Sequence, residues 1–193
     1  LYEKALAYAD LHGGETVIDA YCGTGTISLC LAKKAGRVIG IEIVKEAIED
    51  AKKNAAFNHI ENAEFYAADA GEYMPKLYEE GLRPDVIVMD PVRAGCSEAV
   101  LAAAAGMQPS RIVYVSCNVA TFARDAKILS GLGYTVKEVT PVDMFPQTMH
   151  VETVCLLSKL NTKQHIEVEL NMDELDLTSA ESKATYDEIK EYV

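Results

Sequence analysis

Short apolar segments alternate with helical segments through the first 160 residues of the chain. We predict strands over 16–19, 37–42, 63–67, 84–91, 110–115, 134–142 and 151–158, and helices over 1–12, 27–35, 44–57, 73–80, 97–105 and 120–132. Such alternation predicts βαβ units and a mostly parallel, seven-stranded α/β sheet with helices on both faces. The last two strands are joined by a loop without a helix, so we expect the final strand to be antiparallel.

Acidic residues end four consecutive predicted strands, namely Asp19, Glu42, Asp69 and Asp90. Because the carboxyl ends of parallel strands meet at one edge of a sheet, where ligands of such folds bind, these side chains are candidates for one site. Gly23 and Gly25 add a turn at which the backbone can approach a ligand closely. The alternative is that the glycines only shape the turn and that one or two acids only cap helices.

The charge of this edge indicates what it binds. A dinucleotide site requires a third glycine at the position of Ser28, whereas Glu42 is well placed for ribose hydroxyls. Four carboxylates repel a pyrophosphate and attract a sulfonium or an ammonium. We therefore predict S-adenosylmethionine, rather than NAD or ATP, as the cofactor.

A cysteine follows the fifth predicted strand, in the segment Ser116-Cys117-Asn118. A thiol at this edge is a candidate nucleophile, and the loop before the last strand brings His150 and Glu152 there as candidate bases. Arg93, three residues after Asp90, either pairs with that acid or contacts a phosphate. The alternatives are structural: a packed thiol, a hairpin loop with an incidental acid and a surface turn.

Composition limits the remaining possibilities. The 193 residues suit a sizeable core, and no apolar run reaches the about 20 residues of a membrane helix. Five cysteines without a CxxC pair and four scattered histidines predict no metal site and a cytoplasmic protein. The net charge of -12 disfavours generic nucleic-acid binding.

The chain divides into two predicted regions. Residues 1–160 would form the catalytic domain, and residues 161–193 an acidic C-terminal extension with nine acidic and three basic residues. We expect a strand and a truncated helix in the extension. We expect no signal peptide, because Leu1 opens directly into a helical pattern. The lack of an initiator Met predicts a fragment or a processed chain.

Four segments together resemble the RNA (uracil-5-)-methyltransferases, and most of all their 23S ribosomal RNA 5-methyluridine branch. They are residues 19–25 (DAYCGTG), 90–93 (DPVR), 116–118 (SCN) and 144–152 (MFPQTMHVE). The resemblance covers about residues 1–160 and implies a Rossmann-like fold that uses S-adenosylmethionine.

The resemblance also implies roles. Cys117 would be the nucleophile that adds to uracil C6, and Glu152 the base that removes the C5 proton of a flipped-out uridine. The cofactor contacts would be Asp19, Tyr21, Gly23, Gly25, Glu42, Asp69 and Asp90. The substrate contacts would be Arg93, Asn118 and His150.

Family members are longer, and the resemblance implies that their other domains grip most of the RNA. Other interpretations remain open. The target could be another RNA base or a protein, with Cys117 structural, or it could be a tRNA uridine. A dehydrogenase is disfavoured by Ser28 and the acids, and a cofactor-binding domain without catalysis by the retention of Cys117 and Glu152. The oligomeric state cannot be derived from the sequence.

Overall fold

Strands and helices alternate along the chain as predicted. The computed structural model describes residues 1–160, so the predicted C-terminal extension lies outside the described residues. The elements are α1 (Tyr2–Ala9), β1 (Thr16–Asp19), α2 (Thr26–Ala32), β2 (Arg37–Glu42), α3 (Lys45–Phe57), β3 (Ala63–Ala67), α4 (Ala70–Glu79), β4 (Val86–Met89), α5 (Glu98–Gly106), β5 (Arg111–Ser116), α6 (Val119–Gly131), β6 (Tyr134–Val142) and β7 (Glu152–Lys159). None of these helices is long and apolar enough to cross a bilayer.

The seven strands within residues 1–160 form one sheet in the order β3-β2-β1-β4-β5-β7-β6. The strands from β3 to β5 pair in parallel, and β7 pairs antiparallel with both β5 and β6. The predicted mostly parallel sheet with an antiparallel last strand is confirmed. Strand order reverses between β1 and β4, which is where open α/β sheets form a ligand crevice.

Successive residues of the central strands face two different helix layers. Val17 and Val88 pack with α1 and α2, whereas Ile18 and Met89 pack with α4, α5 and α6. Strands that are covered on both faces must be apolar throughout, which explains the near-continuous apolar runs. Burial of each such side chain stabilises the fold by roughly 1.5–3 kcal/mol. The core therefore fixes the strand ends that carry the polar residues.

Several element boundaries differ from the prediction by one to three residues, and two of these differences have a clear local cause. Helix α4 begins at Ala70 instead of Tyr73, because the Asp69 carboxylate accepts hydrogen bonds from the Gly71 and Glu72 amides and caps the helix. Strand β4 is shorter than the predicted segment 84–91. Proline has no N–H to donate to a sheet, so the ladder ends before Pro91.

The packing between β2 and β3 predicts that Gly40 tolerates no side chain. A Cβ there would lie 2.6 Å from Phe65 Cδ1 and 2.9 Å from Cys22 Sγ, and both side chains are buried. We expect Gly40→Ala to lower the free energy of unfolding by about 1–3 kcal/mol. The control is Gly106→Ala, because the space around Gly106 in α5 is open and alanine favours helix. Urea unfolding of both variants measures the difference, and equal stabilities would contradict the packing.

Candidate active site

The turn after β1 is shaped by two glycines in the left-handed backbone region. The φ angle is +51° at Gly23 and +85° at Gly25. The Gly25 N–H donates to the Cys22 carbonyl over 2.8 Å. A Cβ on Gly25 would also lie 3.1 Å from the Phe65 ring. Both the backbone angle and the close packing therefore require glycine at position 25.

Asp19, the last residue of β1, orders this turn from inside the protein. Its side chain is fully buried, and Oδ2 accepts a 2.6 Å hydrogen bond from Ser28 Oγ. Oδ1 has no hydrogen-bond partner within the described residues, and burial raises the pKa of Asp19 to about 6. Because Asp19 exposes no surface, its predicted contribution to cofactor binding would act through the turn. Ser28, which the dinucleotide pattern treats as a missing glycine, is the partner of this buried acid.

Glu42 connects the end of β2 to the same turn. Its Oε2 accepts from the Gly23 N–H over 3.3 Å, and its Oε1 accepts from the Val44 N–H over 3.0 Å. Each carboxylate oxygen keeps a further lone pair. The two bonds therefore orient Glu42 while leaving it able to accept hydrogen bonds from a ligand.

A cavity of about 220 Å³ opens at the carboxyl edge of the sheet. Its lining includes Tyr21, Glu42, Ile43, Ala68, Asp69 and Val100. Three residues predicted from the sequence, Tyr21, Glu42 and Asp69, therefore come together at one cavity. Apolar walls with two carboxylates suit a neutral or cationic ligand with a flat apolar part.

The sequence analysis did not assign the β4–α5 loop (residues 90–97) to the cavity. Val92, Gly95 and Ser97 of this loop line it. No spacing or charge pattern distinguishes these small residues. Ile43 was also missed, although an apolar residue directly after a strand-end acid is a usable signal; it is 66% exposed.

Asp90 lies within the electrostatic reach of both Asp19 and Glu152. Burial is the main cause that raises the pKa of Asp90 to about 7, and the charges of these two acids raise it further. Three carboxyl groups therefore share one region of the site. Asp90 consequently binds a proton in part of the molecules at neutral pH.

Cys117 lies in a hydrogen-bonded turn between β5 and α6. The Ser116 hydroxyl donates to the Asn118 carbonyl over 2.8 Å and accepts from the Asn118 N–H over 3.1 Å. Asn118 Oδ1 caps α6 by accepting from the Ala120 N–H, and Nδ2 donates to the Arg93 carbonyl over 3.4 Å. The Asn118 side chain thus shapes the turn, and its predicted substrate contact remains a prediction. Cys117 itself is partly exposed between these fixed neighbours.

The antiparallel pairing of β7 with β5 brings Glu152 towards Cys117. Ser116 pairs with Thr153 in the β5–β7 ladder, and Glu152 pairs with Val142 of β6. The next position after Ser116 is Cys117, and the position before Thr153 is Glu152. These two residues therefore leave the sheet as neighbours at its carboxyl edge. A thiol and a carboxylate at the same edge can act as a nucleophile and a base.

Arg93 and His150 meet across this edge. Arg93 Nη2 donates to His150 Nδ1 over 2.9 Å, because a guanidinium only donates and the ring nitrogen therefore accepts in this contact. The contact joins the β4–α5 loop to the loop between β6 and β7. Among the described residues, the side-chain partner of the Arg93 guanidinium is His150 rather than Asp90, the acid considered in the sequence analysis.

The raised pKa of Asp90 predicts stability that falls as the pH rises. An unfolded aspartate has a pKa of about 3.9, and folded Asp90 about 7. The folded state therefore binds the proton more tightly, and this contribution is full below pH 4 and lost as the pH rises through 7.

Asp90→Asn lacks this titration. We expect the free energy of unfolding of Asp90→Asn minus that of wild type to increase by about 2 kcal/mol when the pH is raised from 5 to 8. Urea unfolding at both pH values measures this change. Asp50→Asn is the control, because the Asp50 side chain is 56% exposed on α3. A difference between Asp90→Asn and wild type that does not vary with pH would contradict the assignment.

Comparisons with known proteins agree on a family. A family model described as a methyltransferase domain matches residues 11–192. An uncharacterized RNA methyltransferase of Bacillus cereus is 59% identical over 160 residues, which are 83% of this chain and 35% of the relative. One of Clostridium tetani is 53% identical over 164 residues, 85% of this chain and 36% of the relative. This chain thus spans about a third of the length of the curated relatives it matches.

Solved structures share the fold. The tRNA (uracil-54, C5)-methyltransferase of Pyrococcus abyssi, in complex with S-adenosyl-L-homocysteine, is similar with a TM-score of 0.68 and 36% identity, over 80% of this chain and 37% of that one. An rRNA methylase from Streptococcus thermophilus gives a TM-score of 0.67 over 82% and 95%, but at 14% identity it shows the fold alone. The predicted methyltransferase fold is confirmed. Since the family model matches nearly the whole chain, this protein belongs to the methyltransferase domain family.

Proposed function

We propose that this chain is the catalytic domain of an enzyme that transfers a methyl group from S-adenosylmethionine to C5 of a uridine in RNA. The observation that carries the proposal is the register of β5 and β7, which brings Cys117 and Glu152 to the same edge of the sheet. Methyl transfer to a nitrogen or an oxygen has no need of a thiol, because those atoms already carry a lone pair. Methylation at a ring carbon needs both a nucleophile and a base.

The cavity beside β1 and β2 is the site that we assign to the methyl donor. Glu42 would accept hydrogen bonds from the ribose hydroxyls, and Ile43 and Ala68 would contact the adenine ring. None of the described residues that line the cavity is basic, which fits a cofactor without phosphate. Bound there, S-adenosylmethionine supplies an electrophilic methyl group on a positively charged sulfur.

Cys117 activates the uracil, because C5 of an unmodified uracil is a weak nucleophile. The Cys117 thiolate forms a bond to C6, and the electron pair of the C5–C6 double bond moves towards C5 and the O4 carbonyl. That electron pair would then form the bond from C5 to the methyl group, while the bond from the methyl group to the donor sulfur would break and leave the sulfur as a neutral thioether. Glu152 next removes the C5 proton, and that electron pair restores the C5–C6 double bond while the bond from C6 to Cys117 Sγ breaks. Cys117 is thus returned as a thiolate.

Exposed polar groups around Cys117 are assigned to the RNA. Arg93 would contact a phosphate next to the flipped-out uridine, with His150 as its neighbour. Asn118 holds the turn with one hydrogen bond at each end of its amide and keeps a second N–H and a second lone pair with which it would contact the substrate. The net charge of -12 means that most of the RNA affinity would come from sequence outside this chain. The reaction would take place in the cytoplasm.

Within RNA, we assign 23S ribosomal RNA as the substrate. This assignment rests on the likeness of the four sequence segments, while the Pyrococcus abyssi relative acts on tRNA uracil 54 and makes a tRNA uridine the second candidate. Unmodified transcripts of both RNAs, incubated with the intact protein and labelled S-adenosylmethionine, separate the two. Nucleoside mass spectrometry would detect 5-methyluridine in the substrate RNA. A methyl group on another base, or on none, would overturn the assignment.

Two variants test the division of labour between Cys117 and Glu152. We expect Cys117→Ala to abolish methylation. Glu152→Gln should methylate C5 but remove the proton at least about 100-fold more slowly, so that a covalent complex of protein and methylated RNA accumulates. Denaturing gels with labelled RNA detect that complex.

Cys30→Ala is the matched control, because Cys30 is a partly exposed thiol like Cys117 but lies in α2. It should methylate RNA at the wild-type rate. Normal turnover in either Cys117→Ala or Glu152→Gln would sink the mechanism.

A further inference from the structure

Asp125 is a fully buried acid in α6 that the mechanism above does not use. Its Oδ2 accepts hydrogen bonds from the Cys96 N–H over 2.8 Å and from the Tyr114 hydroxyl over 2.6 Å. Its Oδ1 accepts from Arg124 Nε over 2.8 Å. A buried carboxylate is retained only where it is well paired. Asp125 is therefore held at the junction of β5, α6 and the β4–α5 loop.

Arg124 carries the connection further along the β4–α5 loop. Its Nη2 donates to the carbonyls of Ala94 and Cys96 over 2.9 and 3.1 Å, while the same guanidinium pairs with Asp125. Asn118 Nδ2 donates to the Arg93 carbonyl over 3.4 Å. The Thr121 hydroxyl is shared between the Asn118 carbonyl at 2.9 Å and the Arg93 carbonyl at 3.3 Å. The first two turns of α6 thus bind the backbone of residues 93–96 through side chains.

The loop fits against this pair of charges so closely that only glycine is accommodated. Gly95 has a φ of +78°, and a Cβ there would lie 2.6 Å from Asp125 Oδ2 and 2.7 Å from Arg124 Nη2. The Gly95 backbone therefore rests directly on the Arg124–Asp125 pair. Any displacement of the pair would displace the loop.

The same loop and helix carry two halves of the site. Val92, Gly95 and Ser97 form a wall of the cavity, and Arg93 holds His150. Helix α6 begins directly after Cys117 and Asn118. The Arg124–Asp125 pair is thus the point at which the cavity wall is attached to the turn that carries Cys117.

We propose that Asp125 is a positioning residue that, together with Arg124 and Tyr114, fixes the distance between the methyl-donor cavity and the Cys117 turn. This inference rests on the proposed function for its catalytic consequence. A displacement of about 1 Å in a reacting pair lowers a rate by about 100-fold. Loss of the pair should therefore lower kcat with both substrates saturating, because Glu42 and Asp69 would still hold the donor.

The test compares three variants of the intact protein. Asp125→Asn keeps the shape but removes the charge that pairs with Arg124, and Tyr114→Phe removes one hydrogen bond to Asp125. Tyr134→Phe is the matched control, because Tyr134 is as deeply buried as Tyr114 and donates one hydrogen bond, to the Pro109 carbonyl over 2.8 Å. Pro109 lies between α5 and β5, at the opposite edge of the sheet.

We expect Asp125→Asn to lower kcat by about 10–100-fold and Tyr114→Phe by less, with the KM for S-adenosylmethionine changing less than kcat. Tyr134→Phe should lose as much thermal stability as Tyr114→Phe yet keep the wild-type kcat. Assays run well below the melting temperature of every variant. Wild-type kcat in folded Asp125→Asn would overturn the proposal, as would an equal loss of kcat in Tyr134→Phe.

A second readout does not depend on the reaction. Hydrogen exchange of the Cys96 amide, followed by NMR, reports on its bond to Asp125 directly. We expect faster exchange in Asp125→Asn and an unchanged rate in Tyr134→Phe. If the wild-type protein methylates no uridine, the proposed function is wrong. The exchange rate of the Cys96 amide would still show whether Asp125 holds the β4–α5 loop. Unchanged Cys96 exchange in Asp125→Asn would overturn the positioning role.

Discussion

Strand β7 runs antiparallel to β5, so it begins at the edge of the sheet where the five parallel strands end. Parallel strands bring together their own carboxyl ends, but each end supplies only the residues that follow its strand. By running the other way, β7 adds the residue at its start. That residue is Glu152, which precedes the first residue of β7 paired with β5, just as Cys117 follows the last residue of β5 paired with β7. The chemistry proposed here depends on this one reversal of direction.

The carboxylates at this edge destabilise the folded protein unless a positive charge lies close to them. Asp19 and Asp90 both have pKa values raised by burial, to about 6 and about 7. Ser28 offsets part of the cost for Asp19 by donating to it, but the charges of neighbouring acids remain unfavourable to Asp90. A cationic ligand would relieve this repulsion. By this Coulomb argument the edge would favour a sulfonium over a phosphate.

Much of this site could be predicted from the sequence because its signals are local. An apolar run that ends in an acid marks a strand end, and two glycines mark the turn that follows. The loop length before β7 predicted its direction. The role of Asp69 as a helix cap was weighed as an alternative, and the α4 cap confirms that it applies, although Asp69 also lines the cavity.

The contacts that were missed join residues far apart in the chain without any periodic pattern. Asp125 looks in sequence like one more charged residue in a helix, and only the fold shows that it is buried beneath Gly95. Ser28 looked like a departure from a motif until the structure placed it beside Asp19. The partner of Arg93 depended on a loop conformation that no spacing specifies. Such contacts arise from packing between elements, which a single sequence does not encode locally.

The most direct test of the central claim uses RNA that contains 5-fluorouridine in place of uridine. The intact protein is incubated with this RNA and S-adenosylmethionine, then digested and mapped by peptide mass. Glu152 cannot remove fluorine as it removes a proton, so the account predicts a stalled covalent adduct that carries methylated nucleotide on the Cys117 peptide. Repeated turnover without an adduct, or an adduct on another cysteine such as Cys30, would contradict it.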